Sequence, residues 1–160
     1  MTDIENENQG EKPQTRPDAG LAARQGAHRL IAAVLRQKRA LDEAFAEEAT
    51  QGPLGALAPA DRGFARAIAS VTIRHLGEID LIIKRLLSKK LPPRAGITQT
   101  IVRAAIAEIL FLDVKPHAAV DLAVEAAARD SDAQHFKSLV NALLRRLLRE
   151  GDEARAGIDS

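Results

Sequence analysis

From Phe136 to Leu148 the apolar residues Phe136, Leu139, Val140, Leu143, Leu144, Leu147 and Leu148 fall at i, i+3, i+4, i+7, i+8, i+11 and i+12. Only an α-helix with one buried face gathers such positions into a single stripe; a strand would scatter them over both of its faces. A stripe of that length needs other elements to cover it, and the rest of the chain supplies helices. Ala23, Ala27, Leu30, Ile31, Val34 and Leu35 line a first helix from about residue 19 to 36. A second, shorter helix carries Leu41 and Phe45 and stops before Gly52 and Pro53; the stretch QGPLGALAP reads as a loop, and a third helix follows Pro59 with Phe64, Ile68 and Val71 inward. Ile79, Ile82, Ile83, Leu86 and Leu87 mark a fourth, which Pro92 and Pro93 should terminate. Thr98 lies near the start of a fifth, striped by Ile101, Val102, Ala105, Ile106, Ile109 and Leu110, and Pro116 suits the first turn of a sixth. No segment alternates apolar and polar residues long enough to make a sheet. The expectation is an all-α fold of about seven helices.

Composition agrees with that reading. Apolar residues make up 46% of the 160 residues but aromatics only 2%, so the core has to be built from Ala, Leu, Ile and Val. No uninterrupted apolar run approaches the roughly 18 residues of a spanning helix, so no membrane partner is expected. The opening MTDIENENQG is acidic and polar, unlike a signal peptide. Residues 1–18 are expected to form a disordered acidic lead, residues 19–149 the folded domain, and residues 150–160 a linker or disordered tail. The absence of cysteine removes disulfides, thiolate metal sites and cysteine nucleophiles together, and a reducing cytoplasm is the expected location. The net charge of +1 conceals a partition: residues 21–149 hold 20 basic and 13 acidic side chains, while both ends are acidic. Such a surplus suits an anionic partner without naming it.

Two groups of basic residues could serve that partner. Arg29 and Arg36, seven residues apart, share the polar face of the first helix with Gln25; Arg24, Lys38 and Arg39 add charge nearby. Lys84, Arg85, Lys89, Lys90 and Arg94 bracket the double proline, where they could equally be partners of a helix dipole. In the seventh helix Arg145, Arg149 and Ser138 share the outer face, and Asn141 borders the apolar stripe, a position that suits a hydrogen bond to a neighbouring element. Of the four histidines only His117 has a carboxylate one turn on, at Asp121, which falls short of the ligand count of a metal site. Glu125 and Arg129 read as a helix-stabilising pair. No Gly-rich nucleotide loop is present. A base-stacking platform is not expected with so few aromatics.

Three stretches, AARQGAHRLIAAVL, TIVRAAIAEILFLDVKPHAAVDLAVEAA and FKSLVNALLRRLLRE, together resemble the NusB family over roughly residues 21–149. The resemblance implies two small helical bundles packed together and an RNA-binding role. Pro116 to Val120 and Asn141 to Arg146 look like the branch that forms the amino-terminal domain of Sun/Fmu-type 16S ribosomal RNA cytosine-5 methyltransferases. The alternative branch is the free-standing factors of transcription antitermination, and a protein-docking domain without RNA binding is a third reading. On the methyltransferase reading this chain holds no cofactor itself; S-adenosylmethionine would sit in a covalently linked catalytic domain, and the partner would be 16S ribosomal RNA. The residues expected to bind RNA are Arg24 by the family motif, Arg29 and Arg36 by helix face and, as the next candidates, Lys89, Lys90 and Arg94 of the basic run at the double proline. Arg103, in the V-R-x-A segment, is expected to be structural by the same resemblance.

Overall fold

The computed structural model describes the backbone of residues 17–159 and the side chains of residues 19–152. The acidic lead expected over residues 1–18 lies almost wholly outside the described residues. Within them are seven α-helices and no strand: α1 (Pro17–Gln37), α2 (Leu41–Gln51), α3 (Pro59–Arg74), α4 (Leu76–Leu86), α5 (Thr98–Phe111), α6 (Pro116–Ala128) and α7 (Lys137–Asp159). Pro59 and Pro116 open α3 and α6, where a missing N–H costs no intrahelical bond. None of the described helices is long and apolar enough to cross a membrane.

The core is divided in two. Ala23, Ala27, Leu30 and Ile31 of α1 pack with Ala44 of α2, Ala65, Ile68 and Ala69 of α3, and Leu54. A larger cluster joins Ile79, Ile83 and Leu86 of α4 to α5, to Val120 and Ala123 of α6, and to Val140, Leu143, Leu144 and Leu147 of α7. Two helices link the clusters. Leu21 of α1 reaches into the second, and Ala104 of α5 into the first. Helix α5 is accordingly buried almost all round, from Thr98 to Glu108.

Four local expectations need correction. The QGPLGALAP segment holds a 3₁₀ turn, Pro53–Ala56, whose Leu54 is completely buried. Leu54 seats against the backbone of α1 at Gly26, where a Cβ would stand 2.4 Å from its side chain. Helix α4 ends at Leu86, ahead of Pro92 and Pro93, and the second proline instead starts a 3₁₀ turn, Pro93–Ala95. At the other end of the chain α7 runs past the linker expected from residue 150, reaching Asp159. Glu150 carries the helix through that point: its carboxylate accepts hydrogen bonds from Arg146 one turn earlier, at 3.3 Å, and from Arg85, at 2.9 Å. The apolar stripe of α7 also begins later than its period suggests, because Leu139 is 38% exposed and Phe136 lies in the preceding 3₁₀ turn.

Candidate nucleic-acid interface

Arg24 is not on the surface. Its guanidinium is held by Glu108, with Nη2 to Oε1 at 2.6 Å and Nε to the two carboxylate oxygens at 3.0 and 3.1 Å, and Nη1 donates to the Gly20 carbonyl at 3.1 Å. The Phe64 ring lies 5.2 Å below it. Arg24 and Glu108 are 6% and 2% exposed, so this ion pair sits where α1 and α5 join the two core clusters. Burial pushes the Glu108 carboxyl up from its ordinary value, while Arg24 pulls it down. Arg24 is thus structural, which corrects its assignment to RNA. The signal for this was present: Glu108 is a charged residue set between Ala107 and Ile109 in a strongly apolar helix, and such a group needs a buried partner.

Arg29 does point outward, but Glu48 of α2 neutralises it at 2.9 Å, just as Glu47 binds Arg39 at 2.6 Å. Arg36 differs. Its Nη2 donates to the carbonyl of Gly96 at 2.9 Å, a partner that satisfies hydrogen-bonding geometry and leaves the positive charge uncompensated. Gly96 has a φ of +58°, which a glycine adopts without strain, and this bend aims its carbonyl at α1. The contact ties the C-terminal end of α1 to the connection between α4 and α5, the segment that carries Lys89, Lys90 and Arg94. All three are exposed, and Arg94 lies 5.2 Å over the Phe136 ring. Among the described residues no ion pair involves Arg36, Lys84, Lys89, Lys90 or Arg94.

Two adjoining depressions follow this connection. One, of about 310 Å³, is lined by Arg36, Leu91, Pro92, Pro93, Gly96, Gln99 and Arg103, among others. The other, of about 650 Å³, is lined by Asp80, Lys84, Lys89, Lys90, Leu91 and Gln99, among others. They share Leu91 and Gln99 and make one groove with Arg36 at one end and three lysines at the other. Between them Arg103 binds Asp80 through two parallel bonds of 2.8 and 2.9 Å, so its role there is to join α5 to α4. Of the six residues assigned to RNA, the groove therefore gathers Arg36, Lys89 and Lys90, with Arg94 in the same connection, and leaves out Arg24 and Arg29. Lys84, one turn before the connection, belongs with them.

The remaining candidates form small surface pairs. Arg145 donates to Asp121 Oδ1 at 2.7 Å, to His117 Nδ1 at 2.9 Å and to Asn141 Oδ1 at 3.3 Å. Asn141 is exposed and bonds within its own helix instead of to a neighbouring element. Glu125 and Arg129 pair at 2.8 Å. Among the described residues no group of three or more His, Asp or Glu is arranged to hold a metal ion.

The fold and the groove define a small all-helical domain with two packed helical clusters and a basic surface channel at their edge. Residues 21–149 match the NusB family, and the chain belongs to that family. It is 35% identical over 138 residues to ribosomal RNA small subunit methyltransferase B of Xanthomonas campestris, a match covering 86% of this chain and 30% of that protein. The like-named protein of Pseudomonas putida is 29% identical over 136 residues, covering 85% and 30%. Transcription antitermination protein NusB of Crocosphaera subtropica is 38% identical over 86 residues, covering 53% of this chain and 41% of its own. The chain thus spans 30% of the length of these two methyltransferases. A chain in a crystal structure described as a plectonemic RNA supercoil has the same fold, with a TM-score of 0.71 and 22% identity over 82% of this chain and 95% of that one.

Proposed function

We propose that this domain binds RNA through the groove between the end of α1 and the α4–α5 connection, and that it serves as the substrate-recognition part of a 16S ribosomal RNA cytosine-5 methyltransferase. The observation that carries the reading is the set of exposed cations with no carboxylate partner among the described residues, Arg36, Lys84, Lys89, Lys90 and Arg94, in a molecule whose other described surface arginines are mostly paired with carboxylates. Unpaired charge along a groove is what a phosphate backbone requires, since each neutralised phosphate releases condensed counterions. The similarity to two methyltransferases over their shared NusB-like third supports the enzyme context. The chain has no cysteine, so on this reading the thiolate that attacks the pyrimidine ring and the S-adenosylmethionine site belong to a linked catalytic domain in the cytoplasmic enzyme. Its own residues contribute binding and orientation. A second reading, a factor of transcription antitermination, is supported by the similarity to the Crocosphaera protein. The cluster of His117, Asn141 and Arg145 favours the first, because these residues fall in the two stretches that look like the methyltransferase branch.

The test is the affinity of the chain for labelled 16S ribosomal RNA fragments, read by fluorescence anisotropy for the parent and for a variant carrying Arg36→Ala, Lys89→Ala and Lys90→Ala. The variant is expected to keep its helical circular dichroism and bind roughly ten- to a hundredfold more weakly at moderate salt. Unchanged affinity would place the interface elsewhere, and a parent that binds no RNA would leave protein docking as the function.

A further inference from the structure

The exposed face of α1 borders a second depression, of about 360 Å³, which meets the basic groove at Ala32. His28 lines it and is only 6% exposed, yet no hydrogen bond among the described residues engages its ring. Burial, reinforced by Arg29 and Arg24 and opposed by Asp130, holds this imidazole down at a pKa of about 3. At neutral pH it therefore offers one N–H donor and one bare nitrogen acceptor. A neutral ring does not attract phosphate, and the neighbouring Asp130 carboxylate repels it. Asp130 is fixed in position, since its Oδ1 accepts from the backbone N–H groups of Asp132 at 2.9 Å and Ala133 at 2.8 Å. The walls between are Ala32, Ile97 and Ala126, and the two arginines that also line the depression, Arg29 and Arg129, are each paired with a carboxylate, Glu48 and Glu125. Gln25 adds an amide, again a donor and an acceptor.

A donor and an acceptor lining a small cavity that is in part apolar, with a carboxylate able to receive an exocyclic amino group and arginines already paired with carboxylates, complement a nucleobase better than a phosphate. The phosphates have their own place next door, along Arg36 and the lysines. We propose that this cavity receives one unstacked nucleobase of the RNA lying in the adjoining groove, with His28 and Gln25 bonding its edge; this rests on the RNA-binding reading above. No Phe, Tyr or Trp lines this cavity, so edge bonding and contact with its apolar walls are the means by which it would hold a base.

The experiment compares two labelled RNA hexamers of equal charge on the 160-residue chain, one of mixed sequence and one abasic throughout. The mixed hexamer is expected to bind about tenfold more tightly at every salt concentration, the size of one well-made base contact, while both lose affinity with salt at the same slope. His28→Ala should bring the mixed hexamer close to the abasic one without changing that slope; Gln25→Ala, on the cavity wall, serves where the buried substitution does not fold. Equal binding of the two hexamers by the parent overturns the base pocket and leaves the phosphate groove standing. A preference for bases that survives both substitutions overturns the assignment to this cavity. Absence of salt-sensitive binding by either hexamer overturns the pocket and the RNA reading together.

Discussion

At Arg24 and Glu108 two charges are removed from water, and the arrangement holds only because each satisfies the other. Removing one partner strands the other, so Arg24→Ala or Glu108→Ala should each cost about 3–5 kcal/mol of stability in urea titrations. Replacing both together by apolar residues of similar volume should recover most of that loss. His28 gives a second residue-scale prediction, in pH. Its folded pKa of about 3 lies below the ordinary 6.5, so between those values the unfolded chain binds more protons and stability falls as pH falls. The slope approaches about 1.4 kcal/mol per pH unit well below pH 6.5. Glu108, whose pKa is raised, contributes the opposite sign above the ordinary carboxylate range, but it does so in parent and variant alike. The urea midpoint of the parent should therefore drop more between pH 7 and 5 than that of His28→Asn. Equal drops would mean that the imidazole is not held neutral.

Among the elements, α7 shows how far periodicity reads and where it stops. Leu144 is fully buried, and truncation to Ala should cost about 2–5 kcal/mol; Leu139, one turn earlier in the same stripe, is 38% exposed and should cost less than about 1 kcal/mol. The sequence stripe treats both alike, because a period records which side faces inward and not whether a neighbouring element covers that side. The same limit applies to QGPLGALAP. Its prolines and glycines mark a break in helix correctly, yet nothing local reveals that Leu54 lands on α1 at Gly26. Helix α5 was legible as a stripe and proved to be buried on nearly every side, which its place in both core clusters explains. Arg103 illustrates the charged counterpart: with its bidentate bonds to Asp80, Arg103→Ala should lower the melting temperature more than it weakens RNA binding, and the reverse order would assign it to the interface.

At the scale of the whole molecule, the positive surplus of residues 21–149 was visible in the sequence, but its distribution was not. Pairing decides which cations remain available. Glu48 neutralises Arg29 from another helix, and Glu108 draws Arg24 inside from 84 residues away, relations that no local pattern encodes. Arg36 and the pair Lys89 and Lys90 come from separate segments and line one groove, where Arg36 binds the carbonyl at the Gly96 bend. The central claim is that this groove, and not the arginine row of α1, is the electrostatic interface. The direct measurement is the slope of log affinity against log salt for a single-stranded 16S ribosomal RNA fragment, taken for the parent, for Arg29→Ala, and for Arg36→Ala with Lys89→Ala and Lys90→Ala. Each lost phosphate contact should flatten the slope by about 0.7. The account predicts a slope shallower by about two units in the triple variant and little change in Arg29→Ala; a full parental slope in the triple variant, or a loss confined to Arg29→Ala, would contradict it.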